Sequence, residues 1–259
     1  EPVHAQTNEP IIIGPSEKMS KAKKNVVDPE NIIEQYGADT ARWFMLSDTP
    51  PERDIEWTEA GAEGAWRFMQ RLWRAINEAA VTDPGREPDA DDLAAVELRR
   101  ATHQALKFVT DDISGLRFNR AIARIYELSN TLAQSQKASD GSDGLNWSIR
   151  EAATILVQMF APMMPHLAEE CWKLLGQQGI VVEAAWPQSI DALLVDDSIT
   201  IAIQVNGKRR DEISLQKGMS KEEIETSVME LDNIQRLLSG QTIRKVIVVP
   251  DRIVNIVAN

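Results

Sequence analysis

Thr58-Glu59-Ala60-Gly61-Ala62-Glu63-Gly64-Ala65-Trp66-Arg67-Phe68-Met69-Gln70-Arg71-Leu72-Trp73-Arg74-Ala75-Ile76-Asn77-Glu78-Ala79-Ala80-Val81 reads as one long helix. Trp66, Met69, Leu72, Trp73 and Ile76 recur at three- and four-residue steps, which predicts one broad apolar face. Arg67, Arg71 and Arg74, at i, i+4 and i+7, form a second stripe about two turns long. Turn chemistry at Thr82-Asp83-Pro84-Gly85 ends the helix. Helical spacing returns over residues 89 to about 113, 119–136, 147–160 and 162–175, with 139–144 as a plain loop. Helices joined by short loops, with Ala, Leu and Trp along their inner faces, predict a mainly α fold built on an antiparallel helix bundle.

Working upstream, Asp28-Pro29-Glu30 carries a helix start: a cap, a proline suited to the first turn and an acid at the positive end of the dipole. That helix stops at Gly37, and a second runs from about Ala38 through Trp43, Phe44 and Leu46 to Pro50-Pro51. The charged linker 52–57 has only Ile55 and Trp57 to pin it to a neighbour. Before Asp28 lies Glu17-Lys18-Met19-Ser20-Lys21-Ala22-Lys23-Lys24-Asn25, four lysines after an apolar triplet and a Gly14-Pro15 break. A lysine cluster is ordinarily a solvated loop; here it is also placed to meet a phosphate.

Working downstream, the period changes after Trp186-Pro187. Residues 198–205 alternate at period two, Asn206-Gly207 supplies a hairpin turn, and 208–215 return as a second strand. Ser220 with Glu223 marks a helix entry, a helical stretch runs to about Ser239-Gly240, and strands over 242–249 and 252–257 complete a small α+β module. The acidic segment 191–197 reads as the linker between bundle and module.

The 259 residues suffice for two domains. The chain opens on Glu1, not Met, with a polar segment lacking a helix or strand pattern, and so reads as a piece of a longer protein. No 18-residue apolar run or signal pattern supports a membrane span or secretion. Cys171 is the only cysteine, which excludes an intrachain disulfide or a cysteine-cluster zinc site and points to a reducing cytoplasm. The net charge of −12 is uneven: +1 over residues 1–27, −14 over 28–197 and +1 over 198–259. Local basic stripes, not the total, therefore decide whether an anionic partner fits.

Lys18-Met19-Ser20-Lys21-Ala22 resembles the second signature of the class I aminoacyl-tRNA synthetases, Lys-Met-Ser-Lys-Ser, and 23–29 and 36–42 resemble its usual sequel in the leucyl, isoleucyl and valyl branch. Residues 50–57 with 64–68, and later 203–209 with 243–250, resemble the bacterial leucyl-tRNA synthetases within that branch. The chain departs from the signature at Ala22, where the usual serine hydroxyl is absent. The resemblance covers essentially the whole chain and implies its layout. Residues 1–27 would be the tail of a catalytic domain with the signature loop, and 28–57 connecting helices. Residues 58–190 would be a helical-bundle domain binding the anticodon stem of tRNA, and 191–259 a small α+β tRNA-binding module.

The implied reaction activates leucine with ATP, accompanied by Mg2+, and transfers it to tRNA(Leu). Lys21 would contact phosphate directly, and Lys18 would join it as the second catalytic lysine. Ser20 and Met19 complete the ATP-binding set as support and packing anchor. Lys23 and Lys24 read as solvated or tRNA-facing. Arg67, Arg71 and Arg74 would face the tRNA backbone, with Glu63 as an alternative partner for Arg67. Lys208, Arg209, Arg210, Arg244, Lys245 and Arg252 would grip the tRNA elbow. His166, Glu169, Glu170 and Cys171 read as a packed helix start, not a metal site. The expectation is a cytoplasmic monomer that binds tRNA and no membrane, whose present residues are inactive without an upstream half. An isoleucyl- or valyl-tRNA ligase fragment, or a stand-alone RNA-binding module, are the alternatives.

Overall fold

In a computed structural model, which describes residues 3–12, 14, 17–194, 198–216, 218–249 and 252–259, the first helix starts as its residues require. Asp28 accepts the Glu30 N–H, Pro29 occupies the first turn of α1 (Pro29–Tyr36), and Gly37 closes it. Helix α2 (Ala38–Ser47) follows at once. The linker 52–57 lies against the helices through Ile55 and Trp57, whose ring meets Phe44 edge-on at 4.9 Å.

Helix α3 (Glu59–Val81) is capped by Thr58, and its buried positions are Ala62, Ala65, Phe68, Leu72, Ala75, Ile76 and Ala79. This corrects the predicted face: Trp66 and Trp73 are 40% and 37% exposed. They lie about 100° or more around the helix from Leu72. Alanines line the inner face and let neighbouring helices approach closely, and Phe68 supplies the large ring instead, stacked on Trp43 at 5.1 Å. Trp43 is fully buried and donates its indole N–H to the Tyr126 hydroxyl at 3.1 Å.

Helices α4 (Leu93–Ser114), α5 (Phe118–Ala138), α6 (Asp143–Phe160) and α7 (Pro165–Leu174) bury their apolar faces in the same core. Three starts differ from the sequence reading. Helix α4 begins at Leu93, not 89, because Asp92 captures the Ala95 N–H. Helix α6 begins at Asp143, absorbing the end of the expected loop; a Cβ on Gly144 would lie 2.2 Å from the Asp92 carboxylate, so a larger residue there would have to displace the Asp92 side chain that starts α4. Helix α7 begins at Pro165, not 162, with Pro165 in its first turn.

One ionic knot sits inside this core. Arg99 binds Glu151 at 3.0 Å and Glu87 at 3.0 Å and lies over the Trp147 ring. Buried His103 accepts the Ile190 N–H on Nδ1 at 3.2 Å, which leaves Nε2 to donate to Glu151 at 3.3 Å. Asp191–Leu194 then forms a short turn, α8.

The chain divides into two compact units, Glu1–Leu194 and Val195–Asn259. In the second, β1 (Ser198–Val205) and β2 (Lys208–Gln216) form an antiparallel hairpin. Asn206 and Gly207 turn it at φ 51° and 76°, as a type I′ turn needs. The expected single helix is two, α9 (Lys221–Met229) and α10 (Asp232–Leu238), parted at Glu230-Leu231. Ser220 and Glu223 form a complete capping box on α9. Strands β3 (Ile243–Val249) and β4 (Ile253–Ala258) close a sheet of order β2-β1-β4-β3 in which β1 and β4 run parallel. Ile201, Ile203, Val254 and Ile256 meet Ile224, Val228 and Ile234 in its core. The fold is thus mainly helical with a small mixed sheet. Among the described residues no helix is long and apolar enough to cross a membrane.

Candidate phosphate loop and nucleic-acid interface

The lysine-rich loop forms a short 3-10 turn over Lys21–Lys23, with Lys24 in the left-handed region at φ 54°. Lys23 pairs with Glu17 at 2.6 Å, an exposed pair of little worth in water. Lys18, Lys21 and Lys24 have no ion-pair partner among the described residues. Lys21 and Lys24 share a shallow depression of about 500 Å³ with Val26, Asp28 and Pro29; Lys18 is not part of its lining. Met19 is exposed and Ser20 half-buried. An ammonium group offers hydrogen-bond donors and no lone pair, so these lysines suit phosphate oxygens and cannot themselves ligate a cation.

Arg67, Arg71 and Arg74 all lie on the solvent side of α3, so the stripe exists as one surface. Arg67 pairs with Glu63 at 3.3 Å, an exposed pair of little worth in water. Arg71 lies over the Phe68 ring at 5.6 Å, which steadies its stem and leaves the guanidinium accessible. Trp66 and Trp73 border the same stripe. Trp43, Trp172 and Trp186 donate their indole N–H groups within the protein.

In the second unit Lys208, Arg209, Arg210, Arg244, Lys245 and Arg252 are exposed. They do not form one patch. Lys208 to Arg210 lie on edge strand β2 and Arg244 and Lys245 on the opposite edge β3, with β1 and β4 between. At about 4.8 Å per strand that is roughly 14 Å. Arg209 pairs with Glu212, and Arg244 donates to Asn259 at 2.9 Å.

Two residues of the motif-like stretches 23–29 and 36–42, to which the sequence reading gives no individual role, organise the surroundings. Buried Asp39 accepts the Leu167 N–H at 2.8 Å from 128 positions away, capping α7 from α2, and also meets Arg42 at 3.1 Å and His166 at 3.2 Å. Asn25 bonds across the signature loop. Glu169 accepts the N–H groups of Val181 and Val182 at 2.9 and 3.3 Å. Burial, aided by the charge of Glu170, pushes the Cys171 thiol up to about 12, so it is no nucleophile. Among the described residues no cluster of three or more His, Cys, Asp or Glu could hold a metal ion.

Comparison with known proteins adds to this geometry. A family model described as the anticodon-binding domain of tRNA ligase matches residues 96–226, and one described as tRNA synthetases class I (I, L, M and V) matches residues 10–58. The leucine–tRNA ligase of Nitrobacter hamburgensis is 52% identical over 259 residues, covering 97% of this chain and 30% of that protein. That of Parvibaculum lavamentivorans is 54% identical over 252 residues, covering 96% and 29%. The chain therefore spans about 30% of the length of the curated relatives it matches. Among solved structures, a ternary complex of Agrobacterium radiobacter K84 agnB2 LeuRS with tRNA and LeuAMS matches with a TM-score of 0.64 and 28% identity, over 93% of this chain and 31% of that one. The free-state methionyl-tRNA synthetase of Mycobacterium tuberculosis, 19% identical with a TM-score of 0.50 over 65% of this chain and 37% of its own, shares the fold alone.

Proposed function

The chain belongs to the family of tRNA ligase anticodon-binding domains, and on that premise we propose that it is the C-terminal part of a leucine–tRNA ligase, the enzyme that activates leucine with ATP and transfers it to tRNA(Leu). The observation that carries the reading is the continuity of the match: identity above 50% to ligases of one name runs over nearly the whole chain, through loop, helices and sheet alike. Residues 1–27 are the tail of the catalytic domain and 28–57 its connection. Residues 58–190 are an antiparallel bundle for the anticodon stem, and 191–259 a second tRNA-binding module. The protein works in the cytoplasm as a monomer.

Activation joins the leucine carboxylate to the α-phosphate of ATP and expels pyrophosphate, so negative charge gathers on the leaving group. Positive charge that engages as this charge develops lowers the barrier. Lys21 makes the direct phosphate contact, Lys18 adds the second charge, and Ser20 and Met19 shape the turn. Mg2+ arrives with the nucleotide, since the loop carboxylates are already engaged: Glu17 with Lys23 and Asp28 with the Glu30 N–H. On the tRNA side, Arg67, Arg71 and Arg74 meet the sugar-phosphate backbone of the stem. Lys208, Arg209, Arg210, Arg244, Lys245 and Arg252 meet the elbow, a reading in which Lys208 to Arg210 on β2 and Arg244 and Lys245 on β3 approach it from opposite edges of the sheet.

The test is ATP–pyrophosphate exchange by the complete ligase, with leucine, isoleucine and valine in parallel. Exchange with leucine alone, lost in Lys21→Ala, is the expected result, and the 259-residue chain should show none. Exchange that depends on isoleucine or valine would overturn the assignment.

A further inference from the structure

We propose that Asn25 is a positioning residue for the phosphate-binding lysines, its side-chain amide strapping the signature loop into one shape; this rests on the reading of the loop as a phosphate site. The Asn25 Oδ1 accepts the Ser20 N–H at 2.8 Å, and its Nδ2 donates to the Lys18 carbonyl at 3.4 Å. One amide thus satisfies the main chain on both sides of Met19, as a neighbouring strand would.

The rest of the loop brings Asn25 to that place. The Lys23 N–H reaches the Ser20 carbonyl at 3.1 Å, and the Lys24 N–H reaches the Lys21 carbonyl at 3.2 Å. The left-handed Lys24 then reverses the chain so that residue 25 faces residues 18–20. From outside, Glu17 and Lys23 close the same loop. Every one of these ties uses main-chain groups, Asn25 or Lys23. None uses the ammonium groups of Lys18 or Lys21, which stay available while their backbone is held.

Holding them matters because a charge that must be gathered during reaction loses part of its effect to ordering. Lys18 and Asn25 are exposed and Ser20 is only half-buried, so water can reach the freed groups when the amide is removed. The loss then falls on loop order rather than on the stability of the fold.

Two measurements test this. Trypsin cuts after lysine, so the 259-residue chain reports its own loop. In Asn25→Ala, native-state cleavage after Lys18 and Lys21 should rise about tenfold, the effect of removing two bonds that each restrain opening a few-fold. Cleavage after Arg53 in the linker should be unchanged. Unchanged cleavage in the loop would remove the strap whatever the protein does.

In the complete ligase, Asn25→Ala should lower kcat for leucine-dependent ATP–pyrophosphate exchange about tenfold with KM for leucine unaltered. Asn25→Asp, which keeps the acceptor for Ser20, should recover most of that loss. Full exchange activity in Asn25→Ala, beside a dead Lys21→Ala, would overturn the positioning role and leave the loop's phosphate role standing. Full activity in Lys21→Ala would overturn the phosphate role itself, and the positioning role with it.

Discussion

Asp39→Ala tests how the segment carrying the loop is fastened to the helical core. Asp39 is buried, and its shortest contact is the Leu167 N–H at 2.8 Å, one of the free donors in the first turn of α7. A hydrogen bond to a charged group contributes about 1.5–3 kcal/mol. Its pairs with Arg42, 48% exposed, and His166, 72% exposed, are screened by water and add a few tenths of a kcal/mol each at most. The expected loss is therefore about 2–4 kcal/mol, or roughly 4–16 °C in Tm for a unit of this size. Tryptophan fluorescence gives a clean assay, because all seven tryptophans lie at or before Trp186 and report only the first unit. Urea unfolding followed at that wavelength should show the midpoint falling with the slope unchanged. Asp39→Asn keeps an acceptor and should lose about 1 kcal/mol. A loss below about 0.5 kcal/mol in Asp39→Ala would show that the α7 cap does not hold α2 in place.

Further outcomes follow from the same structure. Phe68→Ala should cost about 3–5 kcal/mol and Trp66→Ala under about 1, by urea titration, because the first fills the core and the second borders solvent; equal losses would restore the face first read from the sequence. Arg67→Ala and Arg71→Ala should each weaken tRNA binding and make the slope of log K against log salt shallower by about 0.7–0.9 per lost phosphate contact; an unaltered slope in both would sink the stripe. Cys171 should react with a thiol reagent at pH 8 only as fast as the chain unfolds. Its folded value, raised from 9.0 to about 12, means that the folded state holds a proton the unfolded state releases, so this residue's contribution to stability is lost as pH rises from 9 towards 12. Rapid labelling of native protein at pH 8 would refute its burial.

What was legible in the sequence was local. Asp28-Pro29, Ser220 with Glu223 and Asn206-Gly207 each act within a few residues, and each forms as written. The buried face of α3 does not follow its large residues, because close helix packing selects the alanines at 62, 65, 75 and 79. The starts of α4 and α6 depend on each other through Asp92 and Gly144, a contact between distant segments that periodicity does not carry. The lysines of the loop could be named from their order. That Lys23 is paired with Glu17 while Lys21 and Lys24 share a depression follows from a left-handed residue no propensity assigns to lysine. The split of the basic residues across the small sheet needed the strand order, since β3 is next to β4 and not to β2.

That strand order also sets a timetable. The centre of the small sheet is the parallel pair of β1 and β4, and the side chain of Asn206 at the hairpin exchanges bonds with both the N–H and the carbonyl of Ala258. During synthesis the hairpin leaves the ribosome first, yet its inner edge stays open until β4, some fifty residues later, has emerged. In the helical unit α4 and α5 can pair as soon as both are made, although α2 and α3 gain their contacts with α7 only after it has emerged. The sheet must wait for its last strand, and until then β1 exposes an apolar edge to any passing chain.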